Sequence, residues 1–392
     1  MEANSLFSDK PSKYEGSHEV VSADLSYGYP STDVSMDRVP QKIPHYPLQS
    51  VKDGYSPIEF LITPDLNGYT DLKNTQLSLL ARIVRQDGTF LDENDIVSPC
   101  NLFFQHLFSH VIVYINNVQV MNEPSYPMMA HITRLLGNNP LEKQHILKNE
   151  MWYQDKYPDT FTLPAKGKPP NNFLERYSYA ALSYPFALLG NLIGGVFSQT
   201  RLFPPNTEIR IILKRNIPEL MLNCAYDTKA PYSGCPYKVF IEDPILWVAK
   251  KTVTPSVLKM HEEILTKETL KFPILDRQIL TFGISEKALN FTTDTMILPK
   301  VPRLMVVGLV SQAAWLGKMS KSPYNFQSKQ MTQMSLTWSG DAIESRTINY
   351  AFGLTKPHSI DSILLALDTL KDTVKDPALG NGIDRENYEL GK

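Results

Sequence analysis

"TQLSLLARIV", Thr75–Val84, alternates along its length. Leu77, Leu79, Ala81 and Ile83 fall on one side, and Gln76, Ser78, Leu80 and Arg82 on the other. Successive side chains of an extended chain point to opposite faces, so this stretch predicts a strand with one dry and one wetter face. Gln86-Asp87-Gly88 behind it is turn chemistry. Such a dry face has to be buried against another layer of structure.

Working outward, the same language recurs. "SPIEFLIT" (56–63) precedes it, and "TEIRIILK" (207–214) alternates Ile209, Ile211 and Leu213 against Arg210 and Ile212. "VIVYINNVQVM" (111–121) places Asn116-Asn117 between β-branched runs; asparagine tolerates positive φ, so a tight hairpin is expected. "KVFIEDPILWVAKK" (238–251) reads as a strand pair or one bent strand. Helices interrupt the strands: a short one in "CNLFFQHLFSH", one in "YPMMAHITRLLG" with Met129, Ile132 and Leu136 on one face, and one capped by Asn139-Pro140. "TPSVLKMHEEILTK" carries Val257, Met260, His261, Ile264 and Leu265 at helical spacing after Thr254-Pro255. Beyond it "DRQILTFGIS", "PRLMVVGLV" and "QMSLTWSGDAIESRTINYA" read as strands again.

The organisation is therefore an extended arm over 1–45, a first β domain over 46–252, a helical connector over 253–268 and a second β domain over 269–392. The fold class is all-β.

The 392 residues include 39 basic and 41 acidic side chains, without the basic excess that gripping nucleic acid by its phosphates requires. Cys100, Cys224 and Cys235 are odd in number and include no Cys-x-x-Cys, which suits reduced thiols in an intracellular protein. The polar start reads as lacking a signal peptide, and the apolar run 180–197 is broken by Pro185, Asn191 and three glycines, so no membrane span is expected. Asn290-Phe291-Thr292 is a glycosylation sequon that means little without a secretory route.

Lys318-Met319-Ser320-Lys321-Ser322 matches the lysine-bearing loop of class I aminoacyl-tRNA synthetases. That chemistry also needs a His-x-Gly-His segment and a parallel nucleotide-binding sheet, and neither is written here. A phosphate-binding loop would need glycine where Gln312 stands and Ser or Thr where Met319 stands. His106 and His110 are four apart, a spacing that could chelate a metal from a helix, but no third ligand accompanies them. Asp65, Asn67 and Asp71 suggest an Asx turn over a calcium loop, and "DENDIV" (92–97) and Glu262-Glu263 read as solvated acids. Trp152, Trp247, Trp315 and Trp338 are too scattered to propose a glycan groove. No catalytic, cofactor-binding or metal-ligating residues are therefore assigned, and no enzyme is expected.

Several stretches taken in order carry a resemblance. They are "PIEFLITPDLNGYTDLKNTQLSLLARIVRQDG", "NLFFQHLFSHVIVYINNVQV", "YPMMAHITRLL", "LFPPNTEIRIILKR", "VTPSVLKMHEEIL" and "LPKVPRLMVVGLVSQAAWLGKMSKSPYNFQ". Together, over about 45–385, they resemble capsid-like proteins of Polinton/Maverick and adintovirus-type elements, in the double jelly-roll major capsid lineage. The resemblance implies two jelly rolls in one chain, three chains building a pseudo-hexameric capsomer, and capsomers tiling an icosahedral shell. It implies self-association and minor capsid or penton partners, with no sequence-specific nucleic acid. It places the chain in the virion capsid, and in host cytoplasm or nucleus during assembly. Pro323-Tyr324-Asn325-Phe326 corresponds to a stretch of the family, which makes Lys318 and Lys321 loop residues. About 120 residues follow the connector, fewer than relatives have, so an incomplete second barrel is expected. The alternatives are a minor capsid or vertex protein with one principal jelly roll, and a non-viral β-sandwich binding module.

Overall fold

A computed structural model describes residues 37–44, 56–66, 68–157, 159–162, 172–224, 235–267, 269–293, 302, 304–336 and 346–350. In chain order the elements up to the second helix are β1 (Asp37–Pro44), β2 (Ile58–Ile62), β3 (Gly68–Arg85), β4 (Val97–Pro99), α1 (Phe103–His106), β5 (Phe108–Ile115), β6 (Val118–Glu123) and α2 (Tyr126–Gly137). They continue with α3 (Pro140–Gln144), α4 (Asn172–Ala180), β7 (Phe186–Gly190), β8 (Ile209–Arg215), α5 (Pro218–Met221), β9 (Leu222–Cys224) and β10 (Tyr237–Thr252). The remainder are α6 (Pro255–Leu265), α7 (Gln312–Trp315), β11 (Gln333–Leu336) and β12 (Arg346–Asn349).

Two four-stranded sheets run in the orders β1-β10-β3-β7 and β2-β8-β5-β6. With the two-stranded pairs β4-β9 and β11-β12 set aside, the eight remaining strands pair first with last, second with seventh, third with sixth and fourth with fifth. One long antiparallel hairpin folded over into two sheets gives this order, and it is the order of a jelly roll. The ladder partners are antiparallel, with Phe60 opposite Ile211, Leu79 opposite Leu188 and Val111 opposite Glu123.

The alternation in Thr75–Val84 does what its pattern demands: Leu77, Ala81 and Ile83 are fully buried and Leu79 is 3% exposed. Ile58, Phe60, Ile62, Val111, Val113, Ile209, Ile211 and Leu213 join them in the core. Each of the larger side chains among them contributes about 1.5–3 kcal/mol by leaving water. The hairpin expected at Asn116-Asn117 joins β5 to β6, with φ of 48° and 65°.

β10 is one bent strand. Its register against β3 slips between Glu242 and Ile245, where Asp243 has φ 47° and Pro244 has no N–H to give. The bulge inverts the parity: Val239 and Ile241 are buried before it, Leu246 and Val248 after it.

The jelly roll begins inside the stretch expected as an arm, because Asp37–Pro44 is the edge strand beside β10. Two prolines hide this strand from a sequence reading, yet an edge is where a sheet accepts proline. Residues 1–36 lie outside the described residues.

α2 and α3 fall where expected, and Asn139 caps α3 in a closed box with Glu142. The buried face of α2 is Tyr126, Met128, Met129, Ala130 and His131, not Met129 with Ile132 and Leu136. A polar network fixes this helix: Tyr126 Oη donates to Gln105 Oε1, and Gln105 Nε2 donates to Glu150 Oε2 (2.8 Å) and to the Asn191 carbonyl (2.9 Å). Arg134 pairs with the same Glu150.

The chain divides into two units. One holds Val253–Pro273 and carries α6, whose expected apolar stripe is exposed: Met260, Ile264 and Leu265 are all more than two-fifths accessible. The other holds the jelly roll together with the described residues from Ile274 onward. Among the described residues of 274–350 the strands are β11 and β12, which pair antiparallel. "DRQILTFGIS" and "PRLMVVGLV", read as strands, run without ladder partners among the described residues. Alternation extends a chain, but a strand also needs a neighbour's N–H and C=O groups. Residues 351–392, where the second barrel is expected to be incomplete, lie outside the described residues.

Candidate functional site

The stretch that spells Lys318–Ser322 lies in a loop with a closed neck. Gln327 N–H donates to the Leu309 carbonyl at 3.0 Å. Gly308 lies under the Phe326 ring, where a Cβ would come within 2.8 Å of a ring carbon. The short helix α7 opens the loop, with Ala314 1% exposed, and Gly317 ends it at φ +92° against the stem of Glu219.

From there the loop is stitched down. Cys224 N–H donates to the Met319 carbonyl at 3.0 Å, and Cys235 Sγ lies 3.4 Å from Met319 Sδ. Ser322 N–H donates to Asp159 Oδ1 at 2.8 Å, and Asn325 Nδ2 donates to Asp159 Oδ2 at 3.0 Å. Lys318 N–H donates to the Ala313 carbonyl and Lys321 N–H to the Lys318 carbonyl.

Tyr324 is the tip. Its ring lies 3.8 Å from that of His106 with 3° between the planes, and 4.7 Å from that of His131 at 17°. The two imidazoles are 5.5 Å apart. Trp152 and Phe326 close the cluster around His131 at 5.6 and 6.3 Å. His106 is fully buried and His131 is 4% exposed. Burial holds His106 far below the ordinary histidine range, His131 adding to the effect, and pushes His131 down to about 3. Both rings are therefore neutral near pH 7.

Cys100 Sγ lies 2.9 Å from His106 Nδ1, a cysteine–histidine pair in distance. Its environment forbids nucleophilic use, because burial pushes the thiol far up from its ordinary range and thiolate is the reactive form. The arrangement packs rings and does not activate a nucleophile.

The same geometry disposes of the phosphate-loop reading. A phosphate cradle needs free backbone N–H groups. Here those of Lys318, Lys321 and Ser322 are spent on protein acceptors, and the Asp159 carboxylate sits where an anion would be repelled. Lys318 and Lys321 are loop residues as expected, but the loop does not simply face solvent: Lys318 is exposed, Met319 through Ser322 are half-buried and Pro323 is buried.

His106 and His110 do not share a helix. His106 ends α1, whereas His110 is in β5 with its Nδ1 3.1 Å from Ser109 Oγ. Asp71 is committed to Lys251 (2.7 Å) and Asn74 (2.7 Å); these partners outweigh its burial and lower its pKa. Asn67 lies outside the described residues. Asp92 and Asp95 both pair with Arg85. Among the described residues no three or more His, Cys, Asp or Glu side chains are grouped to hold a metal. No described helix is long and apolar enough to cross a membrane. Trp247 is on β10, Trp315 ends α7 and Trp152 lies in a segment between elements, and Trp338 lies outside the described residues.

No family model matches the chain. An uncharacterized protein of Caenorhabditis elegans, F54H12.2, is 20% identical over 314 residues, covering 78% of this chain and 71% of the relative. Among solved structures the chain is similar to the virophage Sputnik structure (12% identity, 60% of this chain and 53% of the other, TM-score 0.39). It is also similar to the Faustovirus major capsid protein (12%, 64% and 59%, TM-score 0.34) and the mavirus major capsid protein (16%, 60% and 52%, TM-score 0.26). The chain spans about half the length of these structures. At such TM-scores the fold assignment rests on the strand order, not on these likenesses.

The residues that sequence reasoning missed are Cys100, His131 and Asp159. They come from separate segments and meet only in the folded chain. The one signal in the sequence is "PYNF", whose Tyr324 stacks on both histidines.

Proposed function

We propose that the chain is a major capsid protein of the Polinton/Maverick and adintovirus type, forming trimeric pseudo-hexameric capsomers of an icosahedral shell. The observation that carries this reading is the jelly-roll order of the eight strands that form the two four-stranded sheets within 37–252. A fold alone hosts many functions, so the ordered stretches of capsid resemblance supply the direction. The neighbouring element α6, with its exposed apolar stripe, fits a connector to a second barrel built by later residues. In the proposal the chain is a structural, non-enzymatic protein whose partners are copies of itself and minor capsid or penton proteins, and its place is the virion. A relative in a nematode fits a genome-resident element as the source.

Expression of the full chain followed by electron microscopy tests this. Closed particles or six-lobed capsomers are expected. Pentameric rings would favour a vertex protein with one principal jelly roll, and a chain that stays monomeric at high concentration would overturn the reading.

A further inference from the structure

We propose that the packing of Tyr324 on His106 and His131 is an acid-sensitive latch, which releases the 310–327 loop from the jelly roll when the imidazoles take up protons. The geometry carries the proposal. Two buried imidazoles 5.5 Å apart share one aromatic lid, and the lid comes from a loop and not from the barrel. His106 Nε2 and His131 Nδ1 make no well-formed hydrogen bond among the described residues, so a proton added to either would be buried without a well-aligned acceptor.

The groups around the pair do not rescue a charge. From α3, the Lys143 ammonium bears on His131 and repels it; burial pushes this lysine itself down to about 8. The Cys100 thiol meets His106, with the Arg176–Asp155 ion pair beyond it. The carbonyls of Asn101 and, from α2, Pro127 favour a charged His106, but burial outweighs them. Trp152, Phe326 and the Tyr324 phenol complete the wall. The carboxylate of Asp159 is engaged by the loop's own Ser322 and Asn325.

The sign follows from linkage. A histidine whose folded pKa is depressed contributes stability that is complete above the ordinary value of about 6.5 and is lost as pH falls below it. Opening the latch returns both rings to water, so acid favours the open loop.

Hydrogen exchange on the full chain, corrected for the intrinsic pH dependence of exchange, tests this between pH 7.5 and 4.5. Protection of residues 312–327 should fall by on the order of tenfold or more between pH 6.5 and 5, while β3 and β8 stay protected. The His106→Phe/His131→Phe variant, which keeps aromatic packing without the titrating nitrogens, should hold the loop closed at pH 5. Unchanged protection in the wild-type chain, or equal loss in the double variant, would overturn the proposal. If the double variant does not fold, histidine titration by NMR on the wild-type chain decides: rings of His106 and His131 that protonate near 6.5 in the closed protein would overturn it too.

Discussion

The rings of His106 and Tyr324 lie parallel, 3.8 Å apart, although 218 positions separate them in the chain. This contact fastens the loop after "VPRLMVVGLV" to the jelly roll and gives Tyr324 a clear mutational signature. Tyr324→Ala should destabilise the chain by about 2–4 kcal/mol, in the range for truncating a packed aromatic. Urea unfolding at pH 7.5 measures this, and Tyr324→Phe should keep most of the stability because the ring carries the contact.

Arg176 is fully buried, and its guanidinium bonds the Pro99 carbonyl (2.8 Å), the Tyr153 carbonyl and Asp155 (2.7 Å). Removing it leaves a buried carboxylate alone. Arg176→Met is expected to cost about 3–5 kcal/mol, and Arg176→Lys should recover little, since an ammonium cannot reach three acceptors in one plane. Thermal unfolding of the two variants makes the comparison.

Glu123, at the end of β6, is 7% exposed, and burial pushes its carboxyl up to about 7 against the opposing pull of Arg277. A carboxyl raised above its unfolded value contributes stability that is full below about 4.5 and is lost as pH rises through about 7. Glu123→Gln should therefore match the wild-type chain near pH 4.5 and exceed it at pH 8 by on the order of 1 kcal/mol. Paired denaturation curves at the two pH values test the sign.

The amides of Lys318, Lys321 and Ser322 are already hydrogen-bonded within the protein. Calorimetric titration with ATP and magnesium should give no saturable heat, and Lys318→Ala with Lys321→Ala should leave that null unchanged. Saturable binding lost in the double variant would restore the nucleotide reading.

The barrel was legible in the sequence because its strands carry their burial in period two. Leu77 through Ile83 and Ile209 through Leu213 announce their inner faces without any tertiary knowledge. β1 was not legible, since two prolines and mixed charge mask a strand whose partner β10 lies some two hundred positions away. The strands expected in 276–285 and 302–310 differ for the converse reason: their apolar composition suits a strand, but no described neighbour pairs with them. The latch was invisible for a third reason. Cys100, His106, His131 and Tyr324 have no common spacing, and the chemistry lies in their convergence.

The central claim, a jelly-roll subunit that builds a shell, is tested most directly by the mass of the purified full chain in solution. Size-exclusion chromatography with light scattering at neutral pH should give a species of three chains. A strict monomer across the accessible concentration range would contradict the account.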